Sequence, residues 1–228
     1  MFHPLDHPLE RGWVGRVDGD RVVQLAAQTL QSFFTGGGVA REHAEFPLAE
    51  VRLLAPVLRP PAIRVFDEQT SFEFANPAAV LGPGGTVANG RSLALLPRVA
   101  AVLGLDGRIE GYTGFVDWRR GPAPRPKDRD FALGLGPVVV TPDEIAAVPE
   151  VVVRTSEGDE RRFGRGELQS IRHQFDWDEA CSFAADGTQL QPGDVLAGPA
   201  PGTVDPMDAG IEVEIEFEFI GTLWQTVR

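Results

Sequence analysis

A mainly β, α+β fold is what this chain predicts, on three observations. From Ile211 to Ile220, the apolar residues Ile211, Val213, Ile215, Phe217 and Phe219 alternate with Glu212, Glu214, Glu216 and Glu218. A period of two gives a strand one apolar face and one acidic face. Val138-Val139-Val140 and Val151-Val152-Val153 are β-branched runs bounded by turn residues, a composition suited to a pleated, half-buried surface. The 26 glycines and 19 prolines among 228 residues divide the rest into short segments and leave room for few helices.

The elements follow in order. Gly12 to Val23 carries a hairpin signal, Val17-Asp18-Gly19-Asp20-Arg21-Val22, with Asp-Gly at the turn. Val23 to Phe34 spaces Leu25, Ala26, Thr29, Leu30 and Phe33 like one helix face, ended by Gly36-Gly37-Gly38. Together these predict a small N-terminal subdomain over residues 1–50. The proline-rich stretch Pro56 to Pro61 is a rigid connection into the body, residues 51–228. Pro122 to Pro126 is a loop within that body. Thr141-Pro142-Asp143-Glu144 opens a short helix, with Thr141 as N-cap, Pro142 at the first position and acids in the first turn. Leu168 to Cys181 is read as a second helix. The acidic row Glu212 to Glu218 is a solvated sheet face, because carboxylates strung along one strand do not converge on an ion.

Composition narrows the function. The length suits one good core with a small appendage. A formal charge of -12 argues against nucleic-acid and anionic-membrane partners, which demand a basic face. The single cysteine, Cys181, excludes an internal disulfide framework and a thiolate cluster, and fits a reducing cytoplasm. The first residues show no signal-peptide pattern, and no run is long enough for a membrane helix. Of 21 basic side chains only Lys127 is a lysine, which singles it out.

Several blocks carry a resemblance. Gly111-Tyr112-Thr113-Gly114-Phe115-Val116-Asp117-Trp118 is followed, after a Pro/Arg-rich insert, by Asp130-Phe131-Ala132-Leu133-Gly134-Leu135-Gly136-Pro137. Upstream lie Val51-Arg52-Leu53-Leu54-Ala55-Pro56, Pro61-Ala62-Ile63-Arg64-Val65-Phe66, Phe74-Ala75-Asn76-Pro77 with Gly82-Pro83-Gly84, and Val99 to Gly104. Downstream lie Leu190-Gln191-Pro192-Gly193-Asp194-Val195 and Ile220-Gly221-Thr222-Leu223. In this order the series resembles the fumarylacetoacetate hydrolase family from Val51 to Arg228. The resemblance implies a mixed β-sandwich roll, assembled as a homodimer, after a small N-terminal segment. It also implies a Mg²⁺, Mn²⁺ or Ca²⁺ site that polarises the keto oxygens of a β-diketo or 2-oxo acid while a His–Glu pair activates water.

The matching positions depart from that pattern. The family's first Asp falls on Val65, and its Glu-x-Glu pair falls on Leu96-Pro97-Arg98. Its second Asp is kept as Asp117. The histidine is absent from the short segment Asp67-Glu68-Gln69-Thr70-Ser71, and the water-orienting glutamate falls on Ala200. The pocket lysine falls on Arg129 by one branch's spacing and on Lys127 by the other's. Hard divalent cations want several oxygen ligands, most of them charged. A guanidinium beside the metal position would repel such an ion by a few kcal/mol even at an effective dielectric near ~20.

Arg98 is therefore expected to pair with Asp117 and to stand in for the cation. Arg98, Asp117, Lys127 and Arg129 are the candidate pocket residues, and no cofactor is expected. The resemblance then implies an inactive member with an eroded metal site, or one binding a small carboxylate or 2-oxo acid. The alternative is an active hydrolase of carbon–carbon bonds in ketonic substrates, a decarboxylase or an isomerase. That enzyme would act without metal, or with Mg²⁺ or Mn²⁺ on recruited ligands such as Asp67 and Glu68. A third reading is a structural subunit beside an active relative. Other conspicuous residues have plainer readings. Arg41-Glu42-His43-Ala44-Glu45 is a loop or helix end, Asp67-Glu68 a solvated turn, and His173 a surface histidine. Asp176-Trp177-Asp178-Glu179 is helix-start charge, and Cys181 is a small core residue.

Overall fold

The structure, a computed structural model, describes residues 1–36, 39–88, 92–145, 147, 149–164 and 175–228. His173 and residues 168–174 of the expected second helix lie outside them.

The hairpin forms where its signal lies. Strands Gly15–Asp18 and Arg21–Ala26 pair antiparallel with Asp18 opposite Arg21, so Gly19-Asp20 is a two-residue loop. Gly19 takes φ +59, a left-handed conformation that glycine reaches without strain. The expected helix over Val23–Phe34 is corrected. Its first part is strand, because the β-branched pair Val22-Val23 continues the hairpin and pairs with Val39–Pro47. Only Leu30–Phe34 is helical, opened by a capping box between Thr29 and Ser32. Val39–Pro47 also corrects the reading of Arg41 to Glu45, which is strand. Phe2–Pro4 pairs with Val51–Leu53, and Phe2, Val22 and Val51 share a small core with Trp13 and Phe46.

The body is two packed sheets. The larger runs in the order Ser71–Ala75, Ile63–Glu68, Val195–Ala197, Leu93–Leu103, Ile109–Arg120, Leu133–Val140, Val80–Leu81. The smaller runs Glu160–Phe163, Val151–Thr155, Glu212–Phe217, Gly221–Val227, Gly85–Val87. Leu93, Leu95, Val116 and Trp118 of the first meet Val151, Val153, Val213, Ile215, Phe217 and Leu223 of the second in one core. The opposite face of the large sheet buries Ile63, Val65, Ala100, Val102, Phe115, Leu133 and Leu135. Gly114 allows the close approach on the inter-sheet side: a Cβ there would lie 2.5 Å from the Phe217 ring and 2.6 Å from the Gly136 carbonyl oxygen. The alternation in Glu212–Phe217 is realised, with Val213, Ile215 and Phe217 buried and Glu212 and Glu214 exposed. Arg154 bonds Glu216 on that outer face.

Helices are few among the described residues. Pro142–Glu144 is a single 3₁₀ turn. Trp177–Ala185 is an α-helix whose N-cap, Asp176, accepts from the backbone N–H groups of Asp178 and Glu179. It packs Ala180 and Ala184 against Phe66, Leu103 and Leu196. Within the described residues the helix runs past Cys181, which is half-buried at its edge.

Candidate functional site

The centre lies on the face of the large sheet that carries Ala100, Val102 and Phe115. The period of two fixes this: Arg98 shares a face with Ala100 and Val102, and Asp117 shares one with Phe115. In the pairing of Leu93–Leu103 with Ile109–Arg120, Arg98 is opposite Phe115 and Leu96 is opposite Asp117, so Arg98 and Asp117 are diagonal neighbours.

Both are fully buried. Arg98 Nη1 donates to the carbonyl oxygens of Phe66 and Gly198, each at 3.0 Å. Its Nη2 donates to Asp67 Oδ1 at 2.7 Å and to Asp117 Oδ2 at 3.3 Å. Two further arginines converge on the same Asp117 oxygen. Arg119 Nε donates at 3.1 Å and Arg129 Nη2 at 3.0 Å. Each has an outer carboxylate as well: Arg119 bonds Asp128 at 3.1 Å, and Arg129 bonds Glu73, which also pairs with Arg125. Among the described residues the network joins four arginines (98, 119, 125 and 129) to four carboxylates (67, 73, 117 and 128), whose charges balance.

Burial lowers the Arg129 pKa from its ordinary value, with Arg119 and Arg98 adding to the fall and Asp117 opposing it. Burial pushes the Asp67 carboxyl upward, but the charge and hydrogen bond of Arg98, helped by Arg119 and Arg129, outweigh it and hold the group below its usual value. Asp117 Oδ1 and Arg98 Nε are buried with no hydrogen-bond partner among the described residues.

A break in the sheet opens beside Arg98. Leu93–Leu103 pairs with Val195–Ala197 along residues 100–102 and with Val204–Met207 at Leu93 and Leu95. The intervening residues 198–203 leave the ladder after Gly198 N–H donates to Val99 O. A cavity of about 310 Å³ results, lined by Arg98, Tyr112, Phe175, Trp177, Pro199 and Pro201 among others. Tyr112 and Phe175 each pack against Trp177, with ring centroids 5.4 and 5.0 Å away.

Of the four candidate residues, the fold brings Arg98, Asp117 and Arg129 together and leaves Lys127 apart. Lys127 is 72% exposed and pairs with Asp130 at 2.6 Å. Asp67, read as part of a solvated turn, ends the strand Ile63–Glu68 and is bound to Arg98. Sequence reasoning missed Arg119, Glu73 and Asp128. Arg119 had a signal, since it stands two residues beyond Asp117 on one strand and so on the same face. Glu73 and Asp128 had none, because only tertiary pairing brings them in.

The donor set does not suit a divalent cation. Among the described residues no three His, Cys, Asp or Glu side chains are grouped to hold a metal. The acid at the family position, Asp117, gives one oxygen to three guanidiniums. An ion beside it would face positive charge on three sides, a repulsion of several kcal/mol per guanidinium at an effective dielectric near ~20.

The model for the C-terminal region of fumarylacetoacetate (FAA) hydrolase matches residues 108–228, more than half of the chain. The chain belongs to the fumarylacetoacetate hydrolase family. A second model, Rv2993c-like N-terminal, matches residues 13–56. No curated protein matches the chain. Solved structures share the fold. Maleylpyruvate hydrolase from Sphingobium sp. SYK-6, in complex with manganese(II) ion and pyruvate, is 19% identical over 96% of both chains, with a TM-score of 0.74. The 5-carboxymethyl-2-hydroxymuconate delta-isomerase of Mycobacterium smegmatis is 20% identical, over 99% of this chain and 97% of its own, with a TM-score of 0.74. The apo form of 2-keto-3-deoxy-D-arabinonate dehydratase is 19% identical over 96% of both chains, with a TM-score of 0.76. No described helix is long and apolar enough to cross a membrane.

Proposed function

We propose that this member of the family works without a divalent metal, as a pocket for a small carboxylate or 2-oxo acid, and does not hydrolyse carbon–carbon bonds. One observation carries the reading: Arg98 is buried in hydrogen-bond contact with Asp117, at the position where the family has a metal-binding glutamate. A guanidinium there supplies the fixed positive charge that a cation supplies elsewhere, and its planar donors suit a carboxylate. Three guanidiniums already occupy the Asp117 oxygen. A homodimer is the proposed assembly.

Thermal stability tests the reading, because a ligand present at many times its dissociation constant raises the melting point. Pyruvate or oxalate should raise it, and Mg²⁺ or Mn²⁺ should not. Stoichiometric Mn²⁺ binding that disappears in Asp117→Asn refutes the proposal.

The second reading is a metal-independent enzyme on a keto acid. It is favoured by the aromatic cavity at the arginine and by similarity to proteins described as a hydrolase, an isomerase and a dehydratase. Turnover of oxaloacetate or an acylpyruvate in the presence of EDTA, lost in Arg98→Met, supports it over simple binding.

A further inference from the structure

The donors of Arg98 are not all used. Arg98 has five N–H donors, and four are committed. The fifth, on Nε, is buried without a partner among the described residues. Nε and Nη2 lie on one edge of the guanidinium, where two parallel N–H groups can hold both oxygens of a carboxylate. Asp67 offers only its Oδ1 to Nη2. It makes no bond to Nε.

The four acceptors on Arg98 differ in their freedom to leave. The Phe66 carbonyl belongs to a paired strand, and Gly198 is tied by its own N–H to Val99. Asp117 is fully buried and shared among three arginines. Asp67 is 59% exposed, and the register shifts between Phe66 and Glu68 beside it. Its carboxylate can turn into water, which makes it the acceptor freest to leave. Its departure would leave the network with one uncompensated positive charge, enough for one carboxylate.

We propose that the Nε/Nη2 edge of Arg98 is a bidentate subsite for one ligand carboxylate, and that Asp67 holds the Nη2 end of it until that ligand displaces it. This rests on the carboxylate-pocket reading above and adds the place of the anion and the residue that competes for it. The specificity follows: a monocarboxylate that takes both donors competes well, and a neutral ligand leaves Asp67 in place.

The experiment is calorimetric titration of pyruvate into wild type, Asp67→Ser, Asp67→Asn and Glu68→Gln at one ionic strength. Glu68 is the exposed neighbouring carboxylate with no bond to Arg98, so Glu68→Gln reproduces the change in net charge without freeing the edge. The affinity should rise about tenfold or more in Asp67→Ser, less in Asp67→Asn, and stay near wild type in Glu68→Gln. Equal affinities in wild type and Asp67→Ser overturn the subsite, as does an equal gain in Glu68→Gln. Mn²⁺ titrated into the same samples separates the two failures. An Asp117-dependent Mn²⁺ site removes the metal-free reading itself, whereas unchanged pyruvate affinity without Mn²⁺ binding removes only the subsite. Asp67→Ser and Asp67→Asn both change a half-exposed strand end, so two folded variants are expected; circular dichroism checks each.

Discussion

Replacing Asp117 by Ala tests the centre most directly. The substitution removes one oxygen that three guanidiniums share at 3.0–3.3 Å. Each contact is worth roughly 5 kcal/mol of gross attraction at an effective dielectric near ~20. Most of that sum is offset by desolvation and by repulsion among the arginines. Breaking a buried pair by removing one partner costs about 3–5 kcal/mol net. The retained bonds of Arg98 to Phe66, Gly198 and Asp67, of Arg119 to Asp128 and of Arg129 to Glu73 place Asp117→Ala within that range, not above it. For a chain of this length the melting point should fall by roughly 6–20 °C. Asp117→Asn keeps an acceptor oxygen and should lose less. Urea unfolding with an unchanged m-value gives the free energy directly. A loss under about 1 kcal/mol in Asp117→Ala would show that the arginines do not depend on this oxygen, and the account of a charge-balanced centre would fail.

Three further outcomes are expected. The Asp67 carboxyl titrates below its ordinary value of 3.8 in the folded chain, so its contact with Arg98 contributes fully above that value and fades as pH falls through the lower one. The melting-point gap between wild type and Asp67→Asn should therefore be constant near neutrality and shrink below about pH 4. The buried pair Arg64–Asp194, 3.0 Å apart and away from the centre, should behave alike: Asp194→Ala leaves Arg64 uncompensated and costs about 3–5 kcal/mol by urea unfolding. Burial, with Asp178 adding, pushes the Cys181 thiol from 9.0 up to about 11. Iodoacetamide at pH 8 should modify the native chain roughly a hundredfold more slowly than the unfolded chain, since only the thiolate reacts.

Much of the fold was legible because its signals are local. The alternation from Ile211 and the valine runs at 138–140 and 151–153 depend on side chains two residues apart, and each became strand. The misreading of Val23–Phe34 arose where two local preferences meet. A helical spacing of apolar residues competed with a hairpin that needed a third strand, and the pairing to Val39–Pro47 won as far as Ala26. At the centre, the ordered motif series placed Arg98 opposite the strand of Asp117. The choice between Lys127 and Arg129 rested on loop length alone, and loop length does not say which side chain turns inward. In the structure Arg129 is almost fully buried against Asp117, and Lys127 stays exposed beside Asp130. Glu73 and Asp128 join from a sheet edge and from the loop after Arg120, contacts 56 and 9 residues distant from their arginine partners. No spacing rule reaches them.

The four tryptophans sit in four different surroundings, which gives the protein a built-in set of optical probes. Trp118 is sealed between the sheets, its indole N–H 2.7 Å from Gln225 Oε1. Trp13 packs edge-on to Phe2 and tilted against Phe46 in the N-terminal core, and Trp224 is 53% exposed. Trp177 alone borders the cavity at Arg98. Single-tryptophan variants would thus separate guest arrival, heard at Trp177, from loosening of the sandwich, heard at Trp118, within one emission experiment.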